Sequence, residues 1–161
     1  MKWLPDLVLL SDSHGDWEEY VETLYQYFCT DFVKSTPRYQ GKKVVLSHQP
    51  RILGKEATFW HLISGGEVEE DRIPDLRRCE RICWPKPIIE NANKEVCIKV
   101  WENTRKKGKR VCLWFEEVDY LIILAIRKGY FMLITAYLVE QSHRKRKLQK
   151  EYEQYIGTKK S

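Results

Sequence analysis

The hydrophobic period of this chain changes near its middle, and that change limits the folds open to it more than any other feature. Val96, Ile98 and Val100 alternate with Cys97, Lys99 and Trp101, and Val111, Leu113 and Phe115 alternate with Cys112 and Trp114. A period of two sends successive side chains to opposite faces of an extended backbone, so both runs predict strands. Lys107 and Gly108 supply the turn between them. Tyr120 to Ile126 is a continuous apolar strand, Lys128 and Gly129 form a second tight turn, and Tyr130 to Val139 returns. Together these runs predict a four-stranded antiparallel sheet.

Upstream the spacing is helical. Trp17, Tyr20, Val21, Leu24, Phe28 and Phe32 lie on one face of a helix from Asp16 to Val33, with Trp17 as its first buried position. Asp16 and Glu19 are spaced to cap it. A short strand is expected at Lys43 to Ser47. A second helix, Glu56 to Ser64, opens after Gly54 and Lys55 and stops at Gly65 and Gly66. Three prolines between Pro74 and Asn91 predict a short helix, Asp75 to Ile82, and then an extended connector. A last helix, Glu140 to Ile156, has only Leu148, Tyr152, Tyr155 and Ile156 as an apolar stripe. From His143 to Lys150 it carries five Lys or Arg and no acid. The expected class is α+β: helices, then the antiparallel sheet, then a C-terminal basic helix, within a single domain over residues 1–161.

The charge is unevenly distributed. Residues 1 to 33 hold one Lys against seven acids, leaving 27 basic and 16 acidic residues, +11, for the remainder. A basic body points to a polyanionic partner, a solvated basic surface being the alternative. The apolar runs Leu7 to Leu10 and Leu121 to Ile126 are too short for a signal core or a membrane span, so no membrane partner is expected. Five cysteines in an odd set, without the spacing of a disulfide framework, fit a reducing cytoplasm. Cys79 and Cys83 lack the second close pair that zinc requires.

The stretch VLLSDSHGDW places Asp12 and His14 after a short apolar run, as metal-dependent phosphoesterases often begin. A two-metal site needs further clustered Asp, Asn and His ligands, and the other histidines, His48, His61 and His143, do not supply them. The same residues serve as the entry to the first helix: Ser13, Gly15 and Asp16 as turn and cap, Asp12 as charge at the dipole, His14 in solvent. No metal or small-molecule cofactor is expected.

Phosphodiester chemistry on RNA can proceed without metal because the 2′-hydroxyl is an internal nucleophile. It requires a base, an acid and cations. His61 lies inside the apolar helical segment ATFWHLIS and suits proton transfer, a half-buried core histidine being the other reading. Arg77 and Arg81 share a helical face beside Arg78 and can grip a phosphate, or else pair with Glu80, Asp75 or Asp71. Thr135 and Tyr137 put two hydroxyls on one face of an otherwise apolar strand. Eight extended residues, roughly 26 Å, separate Thr135 from Arg127, which with Lys128 is therefore kept as an electrostatic contributor outside the site. Trp60, Trp84, Trp101 and Trp114 could stack bases or fill the core.

This layout resembles the superfamily of small metal-independent ribonucleases that includes barnase, EndoU, the colicin-type tRNases and the RelE-like toxins. More narrowly, GKEATFWHLI, IPDLRRCERICWPKPIIEN, KVWENTR and GYFMLITAYLVEQSHRKRKLQKEYE look like an uncharacterised bacterial toxin-like nuclease family. The resemblance implies a ribonuclease, commonly a toxin neutralised by a cognate antitoxin protein. It matches Lys55, His61, Thr135 and Tyr137 to positions that often belong to such sites.

The resulting expectation is a cytoplasmic toxin that cleaves RNA by 2′-hydroxyl transesterification. His61, Arg81, Thr135 and Tyr137 are the catalytic candidates, and Lys55, Arg77, Arg78, Lys99, Arg144 and Arg146 the RNA-binding ones. The alternatives are a non-catalytic nucleic-acid-binding protein that uses the basic last helix, and a partner-binding module.

Overall fold

The structure, a computed structural model, describes residues 3–66, 72–95 and 97–160, with Lys160 described by its backbone alone. Val96 and Asp71, which entered the strand and ion-pair expectations, lie outside the described residues. The opening stretch forms a 3-10 turn, Leu10–Ser13, in which the Asp12 carboxylate accepts from the Leu9 amide at 3.1 Å. Asp12 thus caps its own turn. Ser13 is buried, and His14 is exposed in the left-handed region at φ 55°, next to Gly15 at φ 74°.

Helix α1 (Trp17–Phe28) follows the 3.6-residue spacing, and the Asp16 side chain accepts from the Glu19 amide at 3.2 Å. Tyr20, Val21, Leu24 and Phe28 form its buried face, and a π-turn, Cys29–Val33, carries Phe32 into the same core. Trp17 is not the first buried position: it is 37% exposed and meets the stripe only edge-on, 5.9 Å from Tyr20. At the first helical position no core lies beneath it, and it borders a shallow surface groove with Trp60.

Two short strands, β1 (Arg38–Tyr39) and β2 (Lys42–Val45), form a hairpin. A second small ribbon, β3 (Arg51–Ile52) with β4 (Lys55–Glu56), precedes helix α2 (Ala57–Ile63), so Lys55 is in extended chain and does not open the helix. The buried Glu56 carboxylate at this junction accepts from the Tyr25 hydroxyl at 2.6 Å and pairs with Arg51 at 3.5 Å. A third ribbon, β5 (Ser64–Gly65) with β6 (Ile73–Pro74), leads to α3 (Leu76–Glu80).

The expected extended connector is instead helix α4 (Pro85–Asn91). Pro85 occupies the first helical position and Pro87 the third, where backbone N–H groups have no intrahelical acceptor, so the missing N–H costs nothing. Ile88 and Ile89 then face the core.

Strands β7 (Ile98–Arg105), β8 (Gly108–Phe115), β9 (Tyr120–Arg127) and β10 (Tyr130–Leu138) pair in sequence order, each antiparallel to the next. Arg105 pairs with Gly108, so the first turn is Lys106–Lys107, one residue earlier than expected. These four strands are not the whole sheet. β2 lies parallel to β10 through Val44 and Val45, and the order β1-β2-β10-β9-β8-β7 makes six curled, mixed strands where the sequence reading had four antiparallel ones. A parallel partner far away in sequence leaves no local hairpin signal, and the short run KKVV has no clear alternation.

The sheet is packed on both faces. One core contains Phe28 of α1, Phe59 and Leu62 of α2, and Ile88 of α4 against Leu113, Phe115, Ile122 and Leu124. On the other face, helix α5 (Ser142–Lys160) lays Leu148, Tyr152 and Tyr155 over Trp101, Trp114, Leu121 and Ile123. Its start is fastened by Lys145 to Asp119 at 2.9 Å. Among the described residues no helix is long and apolar enough to cross a membrane.

Asp31, on the π-turn, has its carboxyl pushed up to about 6 by burial, with Glu90 adding repulsion and Lys86 opposing it. A raised folded pKa means that this group favours the fold only in acid, and that the contribution is lost as pH rises from 3.8 through about 6. Asp31→Asn is expected to raise stability by roughly 1 kcal/mol above that range, allowing for its half-exposed setting, with the gain fading toward pH 4. Urea unfolding across that pH range measures it.

Candidate functional site

The sheet face beneath α5 is divided in two. Period two along β7 sends Lys99, Trp101, Asn103 and Arg105 to that face, and along β8 it sends Trp114, Cys112 and Arg110. On β9 the series is Leu121, Ile123, Ala125 and Arg127. The apolar members of the three strands lie side by side, with Lys99 alone of the basic ones among them, and Arg105, Arg110 and Arg127 gather at the β7–β8 turn end. α5 covers the apolar half, and the basic half borders a cleft of about 220 Å³.

A bulge in β10 decides which residues join this cleft. Leu133 pairs with Leu124, but Thr135 pairs with Ile123, so Ile134 is an extra residue and the parity of the strand flips. Phe131 and Leu133 point into the α1–α2 core, whereas Thr135 and Tyr137, also odd-numbered, face α5 with Ile123 and Leu121. Without the bulge both hydroxyls would be turned to the opposite face.

Tyr137 is held between two guanidiniums. Arg78 of α3 lies over its ring at 4.9 Å and Arg144 of α5 at 5.5 Å, and Arg144 also donates to the phenolic oxygen at 2.6 Å. Arg78 donates in turn to the His61 carbonyl at 3.1 Å, which also accepts from Arg72 at 3.1 Å. Burial and the neighbouring Arg72 charge push the Arg78 guanidinium below its ordinary range, with Asp75, 3.8 Å away, opposing them. An anion arriving beside Tyr137 would relieve that repulsion.

The opposite wall is organised by Glu151. Its carboxylate accepts from Trp101 Nε1 at 2.8 Å, Asn103 Nδ2 at 2.6 Å and Arg105 at 3.3 Å, while Arg110 Nε donates to Asn103 Oδ1 at 3.1 Å. Burial alone would raise the Glu151 carboxyl, but the bonds from Asn103 and Trp101 and the Arg105 charge outweigh it and hold the group below the usual range. A depressed folded pKa gives stability that is present above pH 4.5 and lost as pH falls through the folded value. Glu151→Ala should therefore cost roughly 1 kcal/mol at neutral pH, where it removes the acceptor of Trp101 and Asn103 and the partner of Arg105, and the gap to the parent protein should narrow in acid. Denaturant titrations at both pH values test this.

Arg144, Lys147, Leu148 and Glu151 fall on one face of α5, three or four residues apart, and with His143 they form the helical wall of the cleft. The described residues thus bring together Tyr137, Arg78 and Arg144 of the expected set, with His61 joined through its main chain; Thr135 lies two residues from Tyr137 on the same strand face and is not among the residues that line the cleft.

The other expected residues are placed elsewhere. Lys55 pairs with Glu22 at 2.6 Å and lies over Tyr25. Arg77 is exposed and bonded to Glu80 at 2.7 Å, which raises its pKa further. Arg81 lies over Trp84 at 5.0 Å and donates to the Arg77 carbonyl at 2.9 Å. Lys99 is enclosed between Trp114 and Tyr152 and bonded to Glu116 and Gln149. Arg146 is exposed on α5. Trp84, Trp101 and Trp114 are buried, and Trp60 donates to the Ile52 carbonyl at 2.8 Å.

Sequence reasoning missed Arg110, Asn103, His143, Lys147 and Glu151. The available signal was the same-parity series Trp101, Asn103, Arg105 and Trp114, Cys112, Arg110, which turns polar at one end of a face whose other end is apolar. Arg127 is also nearer than expected. Thr135 pairs with Ile123, four residues along β9 from Arg127, roughly 13 Å; the 26 Å figure counted the chain out to the turn and back.

Cys79, Cys83 and Cys112 are unpaired thiols pushed up to about 12, about 12 and about 11, chiefly by burial. Among the described residues no three His, Cys, Asp or Glu side chains converge as a metal site requires. Comparison with protein-family models, with characterised proteins and with solved structures gives no significant match.

Proposed function

We propose that this protein is a metal-independent endoribonuclease, acting in the cytosol, that cleaves RNA by 2′-hydroxyl transesterification in the cleft between α5 and the basic half of the sheet. The observation that carries the reading is Tyr137, a phenol on a strand face, held between Arg78 and Arg144 in a cleft with His143 and Arg110. Arg144 donates to the phenolic oxygen, which leaves the hydroxyl hydrogen available to a leaving group.

In this reading His143 takes the proton from the 2′-oxygen as that oxygen bonds to phosphorus. The phosphorus–O5′ bond breaks, Tyr137 donates its proton to O5′, and the products are a 2′,3′-cyclic phosphate and a 5′-hydroxyl. Arg144 and Arg110 face the charge that builds on the phosphoryl oxygens. Thr135, two residues along the same face, orients the scissile group. His61 is a positioning residue, because its carbonyl fixes Arg78 against the Tyr137 ring. His61→Ala keeps that carbonyl and should lower the rate far less than His143→Ala.

The resemblance noted in the sequence adds the expectation of a toxin restrained by a cognate antitoxin. Expression from a tightly controlled promoter, with growth measurement and end-mapping of cellular RNA, tests both. Growth arrest with new 5′-hydroxyl RNA ends, relieved by a co-expressed neighbouring small protein, supports the proposal. RNA binding without new ends identifies a non-catalytic binder.

A further inference from the structure

We infer that the turn end of the sheet carries a second nucleotide subsite, so that the ligand is an extended single strand of RNA running from Tyr137 to the β7–β8 turn. This inference rests on the ribonuclease reading and extends the same site. Beyond Arg105 and Arg110, which border both, the cleft continues into a depression of about 410 Å³ with Ala125 and Ile134 on its floor. Its rim is made by Lys106, Lys107, Lys109 and Arg127, with no acid among the residues that line it.

The combination is specific in chemical terms. The apolar floor suits the face of a base, and the cationic rim suits the phosphates on either side of it. One backbone feature shapes the floor: Ile134 lies on it as the extra residue of the β10 bulge. The four lysines and arginines of the rim come from the β7–β8 turn, the start of β8 and the end of β9, and no helix residue lines the depression. From Tyr137, opposite Leu121, to Arg127 is six residues of strand, roughly 20 Å. A dinucleotide at Tyr137 cannot span that distance, whereas a hexanucleotide can.

Fluorescence anisotropy with a labelled dinucleotide and a labelled hexanucleotide of single-stranded RNA, using non-cleavable 2′-O-methyl versions, separates the possibilities. The parent protein should bind the hexanucleotide at least tenfold more tightly. The double substitution Lys107→Gln with Arg127→Gln should remove most of that advantage and leave dinucleotide binding unchanged, and circular dichroism should show the fold intact. Ile134→Ala should lower hexanucleotide affinity while keeping all the charges, which a purely electrostatic surface would not do. Equal binding of the two lengths, or an advantage untouched by the double substitution, overturns the subsite and leaves the ribonuclease site standing. Binding of neither oligonucleotide, or preference for an acidic peptide over both, overturns the subsite and the ribonuclease reading together.

Discussion

Tyr137→Phe is expected to lower RNA cleavage by ~10²- to 10⁴-fold, the usual cost of removing a general acid, while leaving RNA affinity and folding stability nearly unchanged. The ring that fills the space between Arg78 and Arg144 is retained, so the variant loses only the hydroxyl and the bond from Arg144 at 2.6 Å. Single-turnover cleavage with saturating protein separates this from a binding defect. Loss in the rate constant, with the half-saturating concentration unmoved, identifies a group acting in the transition state. Arg144→Ala, in contrast, should weaken binding as well as slow cleavage, because it removes both a cation from the cleft and the donor to the phenolic oxygen.

Trp101→Ala should have the largest effect on stability, about 3–5 kcal/mol, because it deletes a fully buried indole at the centre of the α5 interface. Trp101 meets Trp114 at 6.4 Å and Tyr152 at 5.8 Å, and its Nε1 is one of the donors that fix Glu151. α5 carries much positive charge and a narrow apolar stripe, so its hold on the sheet depends on these few contacts. Urea unfolding should show the loss, and limited proteolysis should cut first within 142–160. Release of α5 also moves His143, Arg144 and Lys147 away from Tyr137, so cleavage should fall under conditions in which the sheet itself remains folded.

Much of this arrangement can be read in the sequence where local periodicity governs it. The alternation from Ile98 along β7 and β8, the apolar run of β9 and the stripe of α1 from Tyr20 to Phe28 lie where the period places them, because each depends on neighbours a few residues away. β2 lies where a short strand was expected, but β1 and the pairing of β2 with β10 were not legible, since a two-residue strand and a parallel partner distant in sequence leave no periodic trace. The bulge at Ile134 has no signal in a run as uniformly apolar as FMLITAYLV, and yet it decides the face that Thr135 and Tyr137 occupy. The helix at Pro85–Asn91 was hidden because prolines signal a break inside a helix but are tolerated in its first turn.

The site shows the same division. Tyr137 and Arg144 stand out as a polar residue in an apolar strand and a member of a basic run. Arg110, Asn103 and Glu151 do not, since their importance comes from one hydrogen-bonded chain across two strands and a helix. Lys55, Arg77 and Arg81 have the expected charge; Glu80 was legible in the sequence as the alternative partner of the arginines, whereas Glu22 beside Lys55 and Trp84 beneath Arg81 could be recognised only in three dimensions.

In the proposed reaction, RNA is cleaved by attack of its own 2′-hydroxyl in the cleft that holds Tyr137. Purified protein incubated in a metal chelator with a single-stranded RNA, and with the same strand carrying 2′-deoxy sugars, tests it most directly. Only the RNA should be cleaved, to 2′,3′-cyclic phosphate and 5′-hydroxyl ends, with almost no cleavage by Tyr137→Phe. An intact RNA strand, cleavage of the deoxy strand, or equal cleavage by Tyr137→Phe would contradict it.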